Sequence, residues 1–392
     1  MRNTTLLLAA GIIALVFMSV LAGSPGTVEA ATLVVDSTAD ANDDIPGDGL
    51  CATSGSQCTL RAAIEEANAL GGDDAVTLPS GTYTLSLGSE LAISSNLTLT
   101  GAGADITTIQ AAATSGSAYA RVINITGGTV TISGVTIRHG NLVDHGAGIQ
   151  NTGTLTVTDS TFSENHATNS RHGGAIKNNP GKSLTVSRST FNGNSSSEGG
   201  AIQNRGTATI TNRTFSNNSA SSGGGLDTIS GSSTVVNSTF TGNSAGSGGG
   251  IFEIFGSVSL VNTIVEGNTG SAAREDCFGS GITTLGNNLS GVGTGCPTCG
   301  PGDVTTADAK LGPLQDNGGP TFTHALLTDS PAPSTDQRGT SRPQGSSSDI
   351  GAFELVTGAS VPGVTVWGLV ALAVLMAAFS GRRLRRRASQ KT

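Results

Sequence analysis

Charge and aromatic rings are both scarce in this chain of 392 residues. Asp, Glu, Lys and Arg together make 12%, and Phe, Trp and Tyr make 4%, with one Trp and two Tyr. So few large rings cannot fill a thick globular core. Proline is sparse at 12, and the glycines follow no three-residue period, which excludes a collagen-like helix. The hydrophobic fraction of 36% and a mean hydropathy of +0.03 are too apolar for a disordered acidic segment. What is abundant is glycine, 57 residues, about twice the ordinary share. These facts point to an elongated, turn-rich β structure with a thin core of Val, Ile and Leu.

The ends read as targeting segments. Residues 1–30 have a positive start at Arg2, an apolar stretch over 6–21 and Val28-Glu29-Ala30 before Ala31, the pattern of a cleaved secretory signal. Residues 361–381 are uncharged and mostly apolar, long enough to cross a bilayer of about 30 Å. Arg382-Arg383-Leu384-Arg385-Arg386-Arg387 follows, a basic run that stays cytoplasmic and leaves the bulk of the chain outside. Without these segments, 13 basic residues face 27 acidic ones, a net charge of −14. Such a surface disfavours nucleic acid. Export makes disulfides plausible among Cys51, Cys58, Cys277, Cys296 and Cys299. Local pairing gives Cys51–Cys58 and Cys277–Cys296 with Cys299 free, and Cys277–Cys299 is equally allowed by spacing.

The middle of the chain repeats at a period near 25 residues. One recurring piece is Gly146-Ala147-Gly148-Ile149, Gly173-Gly174-Ala175-Ile176, Gly199-Gly200-Ala201-Ile202, Gly223-Gly224-Gly225-Leu226 and Gly248-Gly249-Gly250-Ile251. The other is Phe-x-x-Asn at Phe162/Asn165, Phe191/Asn194, Phe215/Asn218 and Phe240/Asn243, with Val265/Asn268 after and Ile137/Asn141 before. Short alternating runs such as Leu155-Thr156-Val157 lie between them and read as strands with one buried face. A unit this small cannot bury its apolar face alone, but stacked coils can. The expected fold is all-β, a right-handed parallel β-helix, with Phe stacked inside. Asn165, Asn194, Asn218, Asn243 and Asn268 would form a ladder whose amides satisfy turn backbone. Residues 75–290 allow roughly eight or nine coils, a rod of about 40 Å. The paired motifs over 137–268 resemble the repeats of the chlamydial polymorphic outer-membrane proteins, a family of surface adhesins.

Flanking blocks differ. Leu60, Ala63, Ile64 and Ala67 fall on one face of a short helix stopped at Gly71-Gly72, which would cover the open end of the core. This stretch resembles the CSLREA module of secreted β-helix proteins; Arg61 reads as a solvated or capping residue, or as a binding one. Leu311-Gly312-Pro313-Leu314, Asp336-Gln337-Arg338-Gly339 and Asp349-Ile350-Gly351-Ala352-Phe353-Glu354 resemble the choice-of-anchor Q domain. Val361-Pro362 and Trp367-Gly368-Leu369, with the span and arginines, resemble the IPTL-type sorting tails of Gram-negative surface proteins. That resemblance implies a bacterial source, a C-terminal membrane helix and a sorting protease or transpeptidase as partner. The expected organisation is a signal at 1–30, an N-terminal cap at 31–74, β-helix repeats at 75–276, an anchor-Q-like domain at 277–355, a linker at 356–360 and the tail at 361–392.

Catalytic signals are thin. The acids of the repeats, among them Asp144, Asp159, Glu164, Glu198, Asp227, Glu253 and Glu266, are scattered, whereas a glycosidase or lyase needs grouped carboxylates. Asp40, Asp43, Asp44 and Asp48 form the densest acidic group, read either as a calcium loop or as a solvated loop. His139/His166 and His145/His172 are both 27 apart, the step of the glycine motif between Gly146 and Gly173. That offset predicts two stacked pairs able to bind a transition metal or a pH-dependent partner; solvated loop histidines are the alternative. No other cofactor is expected. The sequence therefore reads as a cell-surface or secreted β-helical protein for adhesion or for glycan or matrix binding without catalysis. The alternatives are a polysaccharide lyase or glycoside hydrolase, and a structural envelope protein.

Overall fold

The computed structural model describes residues 30–330, apart from 118–119, 143, 170, 272–273 and 328–329. The signal up to residue 29, the last third of the anchor-Q-like block (331–355) and the apolar span at 361–381 lie outside the described residues. Among the described residues no helix is long and apolar enough to cross a membrane.

Each coil begins where the glycine motif ends. The aliphatic residue of that motif opens a short strand, and these strands stack into an eight-stranded sheet running from Leu91–Ile93 to Cys277–Phe278. All its ladders are parallel, with Ile123, Ile149, Ile176, Ile202, Leu226, Ile251 and Cys277 in one column. The remaining two faces of the coils form an 18-stranded sheet, as in Thr154–Thr158 followed by Thr161–Ser163. The chain is thus an all-β parallel β-solenoid of about eight turns.

The glycines have two separate jobs. Gly173 sits at φ 69°, where a Cβ would lie 2.5 Å from the Ile176 carbonyl oxygen. Gly174 is in an ordinary conformation, but a Cβ there would meet the Gly200 carbonyl of the next coil at 2.3 Å. The first turns the chain, and the second lets coils approach.

One buried cluster extends from Leu33 to Ile282. Phe162, Phe191, Phe215 and Phe240 stack within it, with centroids 4.9, 4.9 and 4.3 Å apart and planes within 9°. Beside them runs the asparagine ladder. Asn165, Asn194, Asn218 and Asn243 each donate an amide N–H to the next asparagine's Oδ1 at 2.8–2.9 Å. Each Oδ1 from Asn194 onward also accepts the backbone N–H of the preceding asparagine, so no amide group is idle. Asn268 ends the series on Asp276, whose Oδ1 accepts at 2.8 and 3.1 Å. The upstream copy is no rung: Ile137 pairs with Phe162, so Gly140 meets Asn165, and Asn141 pairs with His166. A second ladder, Asn151–Asn178–Asn204, runs with 2.8 Å links along the other sheet.

One position breaks the pattern. Ser160, Ser189, Ser238 and Thr263 are buried, each hydroxyl donating to the carbonyl two residues earlier at 2.8–3.0 Å. Arg213 takes this place in its coil, fully buried, with Nε and Nη2 unpartnered among the described residues. Burial pushes its guanidinium well below the ordinary arginine range.

The helix spans Leu60–Leu70, with Thr59 Oγ1 accepting the Ala62 N–H at 3.1 Å and Gly71 closing it. Leu60, Ala63, Ile64 and Ala67 join the solenoid's buried cluster. Disulfides link Cys51–Cys58 and Cys277–Cys296, and Cys299 is free and exposed. Parallel pairing continues past residue 276 to Val304–Thr306. Only then does an antiparallel hairpin follow, Leu311–Gln315 against Thr323–Leu326.

Candidate functional site

The structure separates the two histidine pairs. His145 and His172 meet edge to face, with ring centroids 4.7 Å apart, planes at 68° and the His172 backbone N–H donating to His145 Nδ1 at 3.2 Å. His139 and His166 do not. The Phe face steps by 25 residues, not 27, which puts Glu164 beside His139 at 3.7 Å. The two extra residues are absorbed after His166, in the bend before His172. His139 Nδ1 meets the Ala112 carbonyl at 2.9 Å, and His166 lies between the Ser195 and Ser115 hydroxyls at 2.6 and 2.9 Å. Among the described residues no three His, Cys, Asp or Glu side chains converge as metal ligands. The sequence offset held for one pair because only the glycine bend carries it.

The acidic loop likewise does not gather its carboxylates. Asp40 grips Arg61 with both oxygens at 2.7 and 3.2 Å. Asp43 accepts the Ala52 N–H and Asp48 the Leu50 N–H, both at 2.8 Å, while Asp44 donates its own N–H to the Ala52 carbonyl. Glu65 and Glu66 hold the loop from the helix, accepting the N–H groups of Asp43, Gly47 and Gly49. Arg61 is buried rather than solvated, and its remaining donors reach the Ser89 and Glu90 carbonyls at 2.8 and 3.0 Å.

A less expected column lies on the eight-stranded sheet. Residues flanked by inward neighbours point to the other side of a strand, and register stacks Gln150, Lys177, Gln203 and Asp227 there. Lys177 is 3% exposed, Gln203 and Asp227 0%. The Lys177 ammonium donates to Gln203 Oε1, and Gln203 Nε2 donates to Glu198 Oε2 at 2.6 Å and His172 Nδ1 at 2.7 Å. Asp227 Oδ2 accepts from the Ser222 hydroxyl at 3.2 Å, while its Oδ1 has no partner among the described residues. Burial, then the Arg205 charge, lowers Lys177 to about 8. Burial, then the Glu198 charge, raises Asp227 to about 8. Burial, then the Lys177 and His172 charges, lowers His145 to about 4. The recurrence of Ile-Gln-Asn and Ile-Lys-Asn at 149, 176 and 202 was the available signal for this column and for the second ladder.

A cleft forms where the hairpin docks on the Phe face. His324 anchors it, Nε2 to the Ser216 hydroxyl at 3.0 Å and Nδ1 to the Gly312 carbonyl at 2.7 Å. Thr190 donates to the Phe322 carbonyl at 2.5 Å. The cleft measures about 530 Å³, with Thr136, Thr161, Ser163 and Asn192 on the solenoid side and Pro320 and Phe322 on the hairpin side. Arg138 enters it held by Gln110 Oε1 at 2.8 Å. Asp159 lies in the wall, bound by Arg188 through two contacts of 2.7 Å. Burial draws its carboxyl upward, but the Arg188 and Thr158 hydrogen bonds outweigh that and leave it below the usual carboxylate range.

Comparison with known proteins agrees with the fold. Residues 188–205 match the Chlamydia polymorphic membrane protein repeat. No curated protein matches the sequence. Among solved structures the chain is similar to pectate lyase Pel9A at a TM-score of 0.50 and 15% identity, covering 84% of this chain and 97% of that one. It is similar to the PL6 family alginate lyase AlyGC only at a TM-score of 0.20 and 13% identity, covering 69% of this chain and 56% of that one.

Proposed function

We propose that this chain is a surface-displayed or secreted β-solenoid that binds an extracellular polysaccharide in the cleft under the hairpin, without turning it over. The cleft carries the reading. It combines hydroxyl and amide groups at solenoid spacing with one aromatic ring, the mixture a sugar chain's hydroxyls and apolar faces require. Asp159, kept ionised by Arg188, suits a hydrogen-bond acceptor and not a general acid. The parallel crossovers take the right-handed sense, and the Leu60–Leu70 helix serves as the cap of the core. The signal at 1–30, the anchor-Q-like block and the tail at 361–392 fit export and at least transient attachment through a C-terminal membrane helix, with a sorting protease or transpeptidase acting there. Calcium and transition metals play no part in this reading.

A polysaccharide lyase is the second reading, favoured by the fold shared with pectate lyase Pel9A. One experiment separates the two. The purified chain is passed over a glycan array and incubated with acidic polysaccharides while unsaturated product is followed by ultraviolet absorbance. Binding that Phe322→Ala weakens, with no product, supports the binding reading. Product formation overturns it, as does retention that Phe322→Ala leaves unchanged.

A further inference from the structure

We propose that Lys177 and Gln203 join in an intramolecular isopeptide bond, formed with Asp227 as acid and Glu198 as proton carrier. Register carries the argument. Lys177 pairs with Gln203 and Gln203 with Asp227, so an amine, a carboxamide and a carboxyl occupy three consecutive rungs about 4.8 Å apart. The amide is oriented for the reaction: Oε1 faces the Lys177 nitrogen, and Nε2 is bonded to Glu198 at 2.6 Å. All three groups of the row are buried, which excludes the water that would otherwise compete and strengthens each polar interaction. Nothing in the binding reading uses them, and the inference stands apart from it.

The chemistry balances without oxidant or cofactor. Lys177 gives one ammonium proton to Glu198, and its freed Nζ lone pair adds to Gln203 Cδ. The carbonyl π pair moves onto Oε1, where the protonated Asp227 carboxyl supplies a hydrogen bond through its unpartnered Oδ1. Collapse restores the carbonyl and breaks the Cδ–Nε2 bond. The departing nitrogen takes the proton held by Glu198 and leaves as ammonia; Glu198 then takes the second proton remaining on Nζ and passes it to the ammonia, which departs as ammonium. A primary amide and an alkylammonium become a secondary amide and an ammonium ion. The protonation states fit, because Lys177 at about 8 and Asp227 at about 8 leave roughly a tenth of the amine neutral and most of the acid protonated near pH 7.

The test is the intact mass of the purified full chain, followed by peptide mapping. The expected result is a chain lighter than its sequence and two disulfides require by one ammonia. Proteolysis should then release a branched peptide joining the segments around 177 and 203. Lys177→Arg and the near-isosteric Asp227→Asn should both show the full mass, with circular dichroism unchanged. A wild-type chain at full mass overturns the proposal. So does an ammonia deficit that persists in Lys177→Arg, or a branched peptide formed to the same extent in Asp227→Asn.

Discussion

The asparagine ladder and the Lys177 column run through the same coils, each fixed by the register of its own sheet, but they differ in what they repeat. The ladder places Asn at every step from Asn165 to Asn268. The column on the other sheet changes residue at every step, through Gln150, Lys177, Gln203 and Asp227. The ladder points inward and answers to backbone geometry, so any other residue there leaves orphaned groups. The column points away from the core, so geometry leaves its identity open and chemistry is free to diverge. In a solenoid, sameness marks what the coil needs, and difference at constant register marks where a site can arise.

The sharpest way to break this contrast is to truncate one member of each column. Asn218→Ala strips acceptors from the Asn194 N–H groups and a donor from the Phe191 carbonyl. We expect a loss on the order of 4 kcal/mol, read as a lowered denaturant midpoint. Gln150→Ala, in the divergent column, should cost less than about 1 kcal/mol, since its buried Oε1 already lacks a partner among the described residues. Equal losses would dissolve the distinction.

Arg213 offers the opposite test, since there the repeating position itself diverges. Restoring the repeat with Arg213→Ser removes a buried guanidinium and should stabilise the chain by about 2 kcal/mol, seen as a higher Tm. A lower Tm would show that the arginine has a partner worth keeping.

A smaller effect concerns acid. His145 has its folded value lowered to about 4, so the unfolded chain takes up this proton first. The stability it secures is complete above about pH 6.5 and is lost as pH falls toward about 4. Asp227, Asp276 and Glu266 are raised by burial and act in the opposite sense, so the informative quantity is a difference. His145→Gln should flatten the acid limb of the Tm profile relative to wild type, and an unchanged limb would remove His145 from the account. The smallest effect on stability is expected for Phe322→Ala, whose half-exposed ring should shift Tm by no more than a degree or two while retention on the bound glycan falls several-fold.

Much of this was readable beforehand, for physical reasons that can be named. The Phe and Asn motifs announced stacking because their spacing equals the coil length, and Cys51–Cys58 was suggested by proximity along the chain, whereas spacing left Cys277 open between Cys296 and Cys299 until the structure joined it to Cys296. The His139–His166 pairing failed because one coil carries its two extra residues in a bend, which a uniform offset cannot locate. The cleft was invisible because it depends on His324 meeting Ser216 across 108 positions of sequence. The Lys177 column was visible only as a position: the recurring Ile-Gln-Asn and Ile-Lys-Asn triplets mark its place, but the change of residue from rung to rung concealed its chemistry.

The ladder's last contact has a consequence for how such a chain lengthens. Every asparagine both receives and passes on a hydrogen bond, so a duplicated coil inserted between two rungs finds donors and acceptors already matched. Asp276 receives from Asn268 and, as a carboxylate, has nothing to pass on. Growth by duplication is therefore open between the rungs from Asn165 to Asn268, while the parallel strands past residue 276 stack without the ladder. A carboxylate from the neighbouring glycine bend, aligned with Gly250 of the previous coil, closes the row in place of a further asparagine, so the run of amides stops before the stack of coils does.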